Sequence, residues 1–222
     1  MEAVQVVRSR RKTIAIEIHP DGQVILRLPL RYPKAKIPQI LEQYQDWITE
    51  KVQKFQEQQR QIPEHRFVEG ETFLYLGKEY PLHILEHASR ALEWNETGFW
   101  MLKTDSHHAR KLFLAWYQEK ALTYFTARAK HFDKKFTDKP YQIKLSNART
   151  RWGTCSTRGI LRMSWRIIMA PPEIIDNVIV HELAHFLHQN HSRAFWEVVA
   201  TECPNYKQAR AWLRNFGHLL AI

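Results

Sequence analysis

The sequence predicts an α+β fold with two halves: an N-terminal antiparallel β-rich part carrying one long helix, and a C-terminal part built as long helix, β-hairpin, buried helix and short helices. Three observations predict it. Apolar residues alternate at Ile14, Ile16 and Ile18 and again at Val24, Leu26 and Leu28, the period of a half-buried strand. Ile37, Ile40, Leu41, Tyr44, Trp47, Ile48, Val52 and Phe55 instead follow helical spacing, as do Leu112, Phe113, Trp116, Leu122, Phe125, Ala129 and Phe132. Between Ile174 and Leu187 the apolar coverage is broad enough for a buried helix.

Taken in order, Val4 to Leu30 reads as an antiparallel pair turning at Pro20-Asp21-Gly22. Arg8-Ser9-Arg10-Arg11-Lys12 reads as a turn or exposed edge. A helix is expected over 36–60, then short strands over 66–102 with turns at Gly70, Gly77 and Asn95-Glu96-Thr97-Gly98. These elements make a region 1–103. The second region, 104–222, opens with a helix over Ser106 to Phe136, capped by Asp105 or Ser106. Strands over Tyr141–Trp152 and Ile160–Trp165 are joined at Thr157-Arg158-Gly159. Pro171 and Pro172 suit the start of the next helix, where a missing N–H costs nothing.

That helix contains His181-Glu182-Leu183-Ala184-His185. Positions i and i+4 share a helical face, so two imidazoles face one point in space. Glu182 is rotated by about 100° but borders that point. This is the H-E-x-x-H arrangement of two zinc ligands plus a carboxylate able to take a proton from metal-bound water. Catalytic zinc usually has three protein ligands and an open position. His188 lies on the same face but one turn along, which reads as a supporting or surface histidine. His191 is the better third ligand, because Asn190 can adopt the left-handed conformation that ends a helix. Ser192 reads as the cap of a second helix carrying Glu197 and Glu202, the reserve third ligands. The bland alternative is a helix with a polar stripe. His191 at that spacing argues against it. A true metzincin is not expected: His188 stands at the glycine position, and Met1, Met101, Met163 and Met169 all precede the helix's end.

Composition narrows the classes. With 222 residues and 44% hydrophobic content the chain is an ordinary globular one. No apolar run has the length of a membrane span, so no membrane partner is expected. Cys155 and Cys203 are too few for a disulfide framework, and Met1 to Lys12 shows no apolar signal region; a cytoplasmic protein is expected. The net charge of +10 is not evenly spread. Residues 128–166 carry 11 Lys and Arg against 2 Asp and Glu, whereas 1–103 carry 15 against 14. Such a field suits an anionic partner: a nucleotide, an acidic peptide or, with weaker support, nucleic acid.

On these residues the chain resembles the YgjP-like metallopeptidase-domain family, related to the SprT and WLM zinc proteins. The resemblance spans nearly the whole length. It is carried by Arg10-Arg11-Lys12, Pro20-Asp21-Gly22, Trp47-Ile48, Gly70, Leu76-Gly77, Arg151-Trp152-Gly153-Thr154-Cys155-Ser156 and, most strongly, Val180 through Trp196. It implies that the two regions form one zincin-like unit, a Zn2+-dependent hydrolase with His181, His185 and His191 as ligands and Glu182 as catalytic base. The chain departs from the pattern at Thr154 and around Met163-Ser164-Trp165, which touches the substrate side only. A nucleoside triphosphate pyrophosphohydrolase activity, on UTP for example, is also attributed to the family. Two main readings stay open. In the peptidase one, Arg151, His188 or Tyr206 would supply a second oxyanion donor. In the pyrophosphohydrolase one, Arg149, Arg151, Arg158 and Arg162, beside Trp152, would hold phosphates. A nucleic-acid-associated SprT-like protease is a third.

Overall fold

The computed structural model describes residues 4–19, 21–87, 90–138, 141–149 and 151–222. Pro20 of the expected turn, Lys139 of the basic stretch and Thr150 of the expected strand lie outside them. The described residues form an α+β fold with six helices and three small mixed sheets. The chain forms two compact units that meet at Ile62/Pro63.

The first unit holds β1 (Gln5–Ser9), β2 (Ala15–Ile18) and β3 (Val24–Pro29) in the order β1-β3-β2. The β2–β3 hairpin is antiparallel as its alternation implies, but β1 lies parallel to β3. The expected single helix is two, α1 (Ile37–Gln43) and α2 (Gln45–Gln61). Between them Tyr44 leaves helical geometry, with φ −107° and ψ 11°. Leu26, Leu28 and Ile40 form a small core, with Val4, Ile16, Tyr32, Ile37 and Leu41 packed around it.

The second unit begins with β4 (Thr72–Tyr75), β5 (Lys78–Leu85), β6 (Leu92–Asn95) and β7 (Gly98–Leu102), ordered β4-β5-β7-β6. These strands belong here because their inner face meets the long helix α3 (Ala109–Phe132) in one aromatic core. The Phe73 and Phe99 rings lie 4.2 and 4.9 Å from Phe113, and the Tyr117 hydroxyl donates to the Leu74 carbonyl at 2.6 Å. Such packing is worth more than strand alternation in deciding where a unit ends. The expected helix over 106–136 keeps its α-helical geometry only over 109–132. Short 3-10 turns at Lys103–His108 and Asp133–Lys135 flank it.

The third sheet contains β8 (Gln142–Ser146), β9 (Gly153–Cys155) and β10 (Ile160–Ser164), ordered β8-β10-β9. The expected pair over 141–152 and 160–165 is therefore corrected. The Thr157–Gly159 turn joins β9 to β10 in an antiparallel hairpin, while β8 runs parallel to β10. The same plan recurs in all three sheets: a strand, then a hairpin whose second strand lies beside the first in parallel. It leaves β2, β6 and β9 as outer strands.

The buried helix α4 (Pro172–Ala184) packs against α3, β9, α5 (Arg193–Glu202) and α6 (Tyr206–Phe216). Its start is braced by the β4–β5 turn. Leu76 N–H and Gly77 N–H donate to the Ile168 and Met169 carbonyls at 3.0 Å each. Gly77 has φ +77°, and a Cβ there would come within 2.8 Å of Pro171 Cα. Only glycine suits both conditions. No helix among the described residues is long and apolar enough to cross a membrane.

Part of the basic stretch is structural. Arg128 grips Asp176 of α4 with two bonds of 2.7 and 2.6 Å. Lys135 reaches Glu202 of α5 at 2.6 Å. Arg166, only 8% exposed, donates to the Asn147 carbonyl and side chain and lies 4.4 Å from the Trp165 ring centre. These three cations tie elements together.

Candidate metal centre

α4 places His181 and His185 one turn apart, and then stops. The next amides bond back tightly, Phe186 N–H to the Leu183 carbonyl and Leu187 N–H to the Ala184 carbonyl, which unwinds the chain. The Gln189 side chain covers the His185 carbonyl at 2.6 Å. Asn190 is not the left-handed residue expected: among described non-glycine residues only Phe67 and Leu76 have positive φ. The early end of α4 makes the reversal instead. Ser192 then caps α5, its hydroxyl accepting from Phe195 N–H at 3.4 Å. His191 is thereby held between a helix end and a helix start.

The three imidazoles form a near-equilateral triangle, with ring centres 5.2, 5.0 and 4.9 Å apart. One nitrogen from each lies within 4.8 Å of the others. His181 Nε2 and His191 Nε2 are 3.1 Å apart. Two nitrogens on a tetrahedral zinc would be separated by about 3.3 Å, so the donor set fits such an ion. His185 Nδ1 donates to the His188 carbonyl at 3.1 Å, which leaves Nε2 as the ring's lone-pair nitrogen. His188 thus contributes backbone, and its ring is not part of the triangle. Burial, His185, His191 and Arg210 hold His181 down to about 3; burial, His185 and Arg210 lower His191. Both effects favour the neutral ring that binds metal.

Phe195 is the floor, a residue that sequence reasoning did not assign to the site. It is fully buried and its ring centre lies 5.0, 4.7 and 4.9 Å from the three histidines. Trp196 stacks on His191 at 5.7 Å and on Tyr206 at 5.1 Å. The signals available were the helical position of Phe195 just after a capping serine and its place in the Val180–Trp196 stretch that carries the resemblance. Tyr206 stands behind Trp196. The reserve ligands point elsewhere: Glu197 pairs with Arg193 at 2.8 Å and Glu202 with Lys135.

Glu182 is 5% exposed, and none of the described hydrogen bonds reaches its carboxylate. Burial raises it to about 7, with Arg151 opposing. A base at that value is matched to proton transfer near neutrality. β9 lies against it: a Cβ on Gly153 would come within 2.6 Å of Glu182 Oε1. Gly153 is thus a site residue by close approach. Cys155, on the same strand, is raised to about 11 by burial and by the Glu182 charge, so its thiol stays neutral.

The anticipated arginines lie on the loop before β9, in the β9–β10 turn and on β10. Arg151 enters β9 and its charge acts on Glu182. Arg149 acts on Arg166 instead. Arg162 pairs in register with Thr154, one residue from Gly153 and so on the opposite face of the sheet; Arg158 sits in the turn at the hairpin's other end. Trp152 is half-buried, with Gly217 against its ring, and its carbonyl accepts from Ser164 N–H at 2.8 Å. Trp165 Nε1 donates to Asn147 and Ser164 Oγ to the Ala148 carbonyl, so the residues at the family-divergent positions pin the loop that carries Arg151.

No curated protein and no solved structure matches the chain. A family model does, that of the YgjP-like metallopeptidase domain, over residues 12–216. Its description suggests a hydrolase that uses a metal cofactor. With a match over nearly the full 222 residues, the chain belongs to the YgjP-like metallopeptidase-domain family.

Proposed function

We propose that the protein is a zinc metallopeptidase whose ligands are His181, His185 and His191 and whose general base is Glu182. The observation that carries this is the histidine triangle lying next to a buried carboxylate that has no hydrogen-bond partner among the described residues and is raised to about 7. Bound zinc would supply Lewis acidity, polarising a carbonyl and acidifying water. Glu182 accepts the proton of the attacking water and passes it to the leaving amine. Phe195, fully buried, closes one side of the ligand triangle. Peptide is favoured because β9 is an outer strand against Glu182, and an extended chain adds to such an edge through main-chain bonds. The pyrophosphohydrolase reading is less favoured because Arg162 lies on the sheet face opposite Gly153 and Arg158 in the turn at the hairpin's other end.

The test is elemental analysis with an activity screen. Purified protein should carry about one zinc per chain and cleave unfolded protein, and His185→Ala should lose both. Zinc retained by His185→Ala would overturn the ligand set. Hydrolysis of nucleoside triphosphates with unfolded protein left intact would transfer the site to the pyrophosphohydrolase reading. Duplex or single-stranded DNA that stimulates cleavage would favour the nucleic-acid-associated one.

A further inference from the structure

Two arginines approach the triangle from different elements, Arg210 from α6 and Arg151 from the loop before β9. Arg210, on α6, has its guanidinium carbon 4.6 Å from the centre of the Trp196 ring. That ring lies 5.5 and 5.7 Å from His181 and His191. Arg210 therefore belongs to the His181–His191 side. Arg151 directly precedes Trp152-Gly153, and Gly153 touches the Glu182 carboxylate, which puts Arg151 on the Glu182 side.

Both side chains belong to exposed residues, and among the described residues neither has a carboxylate partner. This contrasts with Arg128, Lys135 and Arg193, each closed on an acid. Three neutral imidazoles leave the charge of a divalent cation uncompensated. Two arginines add to it, and among the residues assigned to the site Glu182 opposes them. A cluster so short of negative charge is complementary to an anionic ligand. A stacked guanidinium still keeps donors for a carboxylate fork.

We infer that Arg210 and Arg151 are specificity residues, each receiving an acidic side chain on one side of the peptide bond being cleaved, so that the preferred substrates carry Asp or Glu on both sides of that bond. The inference rests on the peptidase reading. The placement favours peptide over polyphosphate, since one cation is tied to Trp196 on the His181–His191 edge and the other precedes the strand that meets Glu182. Arg210 has no assigned part in the ligand set or in proton transfer.

The experiment uses zinc-loaded full-length protein and three matched fluorogenic peptides with Glu, Ala or Lys flanking the cleavable bond. The wild type should favour the Glu peptide in kcat/KM, mainly through KM, with the preference shrinking as salt rises. Arg210→Glu should keep its zinc and move preference toward the Lys peptide by about tenfold or more, a gain that loss of packing does not produce. Equal losses on all three peptides would make Arg210 a packing strut and overturn the inference. So would a wild type that favours Ala or Lys. If no peptide is cleaved, fluorescence anisotropy with zinc-loaded Glu182→Gln separates the two failures. Tight, salt-sensitive binding of the Glu peptide that Arg210→Glu abolishes keeps the acidic clamp and removes the peptidase reading. Equal binding of all three peptides removes the clamp. Displacement of the Glu peptide by a nucleoside triphosphate that the wild type then hydrolyses overturns the peptide assignment.

Discussion

The two units solve the problem of burial differently. The first rests on Leu26, Leu28 and Ile40 and leaves Tyr44, Trp47 and Ile14 at the surface, where they line a groove of about 630 Å3 with Ile16, Tyr32 and Gln43. Trp47 is 41% exposed. The second surrounds α4 with a continuous core running from Phe73 through Phe113, Trp165 and Ile175 to Phe195. Among the described residues, only the second buries a carboxylate and packs an aromatic floor under titratable rings. A small core cannot meet the cost of desolvating Glu182, whereas a large one can carry that strain and still fold. The difference teaches where this chain can place chemistry: in the unit with stability to spare.

The largest expected effect falls on the buried acid. Glu182→Gln should keep zinc but lose turnover by about 10²–10⁴-fold, the range for a general base. Steady-state kinetics beside elemental analysis checks it. A variant that loses zinc together with activity would make Glu182 structural and take away the contrast between a working unit and a packed one.

Next come the cores. Phe99→Ala should destabilise the second unit by about 3–5 kcal/mol and Leu26→Ala the first by about 2–5 kcal/mol. Hydrogen exchange should localise the second loss to residues 4–61 and leave α4 protected. If Leu26→Ala exposes α4 amides equally, the units are not energetically separate.

The strain at Glu182 has its own pH signature in metal-free protein. Its folded value, about 7, lies above its ordinary 4.5. The stabilising contribution is thus complete below pH 4.5 and disappears as pH rises through 7. Relative to Glu182→Gln, the wild type should lose about 3 kcal/mol between pH 4.5 and 8. His181 runs the other way: its value near 3 lies below its ordinary 6.5, so its contribution is present above 6.5 and is lost as pH falls toward 3. Comparing the two proteins at each pH cancels His181. Denaturation curves that stay parallel from pH 4.5 to 8 would mean that the carboxylate is solvated.

The smallest effect should come from the groove. Trp47→Ser should change stability by less than about 0.5 kcal/mol, as a half-exposed substitution outside the core. A loss above 2 kcal/mol would show that this face is covered in solution, and the first unit's core would then be larger than Leu26, Leu28 and Ile40.

Local chemistry was legible in the chain. Alternation marked β2 and β3, helical spacing marked α3, the proline pair marked the start of α4 and Ser192 marked the cap of α5. The spacing of His181 and His185 on one face follows from 3.6 residues per turn, a property of any helix. What joins strands was not legible. Alternation is identical for parallel and antiparallel neighbours, so nothing local said that β1, β5 and β8 would lie parallel to the last strand of their hairpins. Nor could spacing tell which cations close on acids. Arg128 and Arg151 are alike in sequence, yet one closes on Asp176 across 48 positions and the other makes no ion pair among the described residues. The triangle's third corner was reached for a different reason than expected, since α4 stops at Ala184 and needs no left-handed Asn190. Phe195 under the rings and Gly153 against Glu182 belong to the same class. Close approach between distant segments depends on how whole elements pack, and a sequence read in windows does not contain that distance.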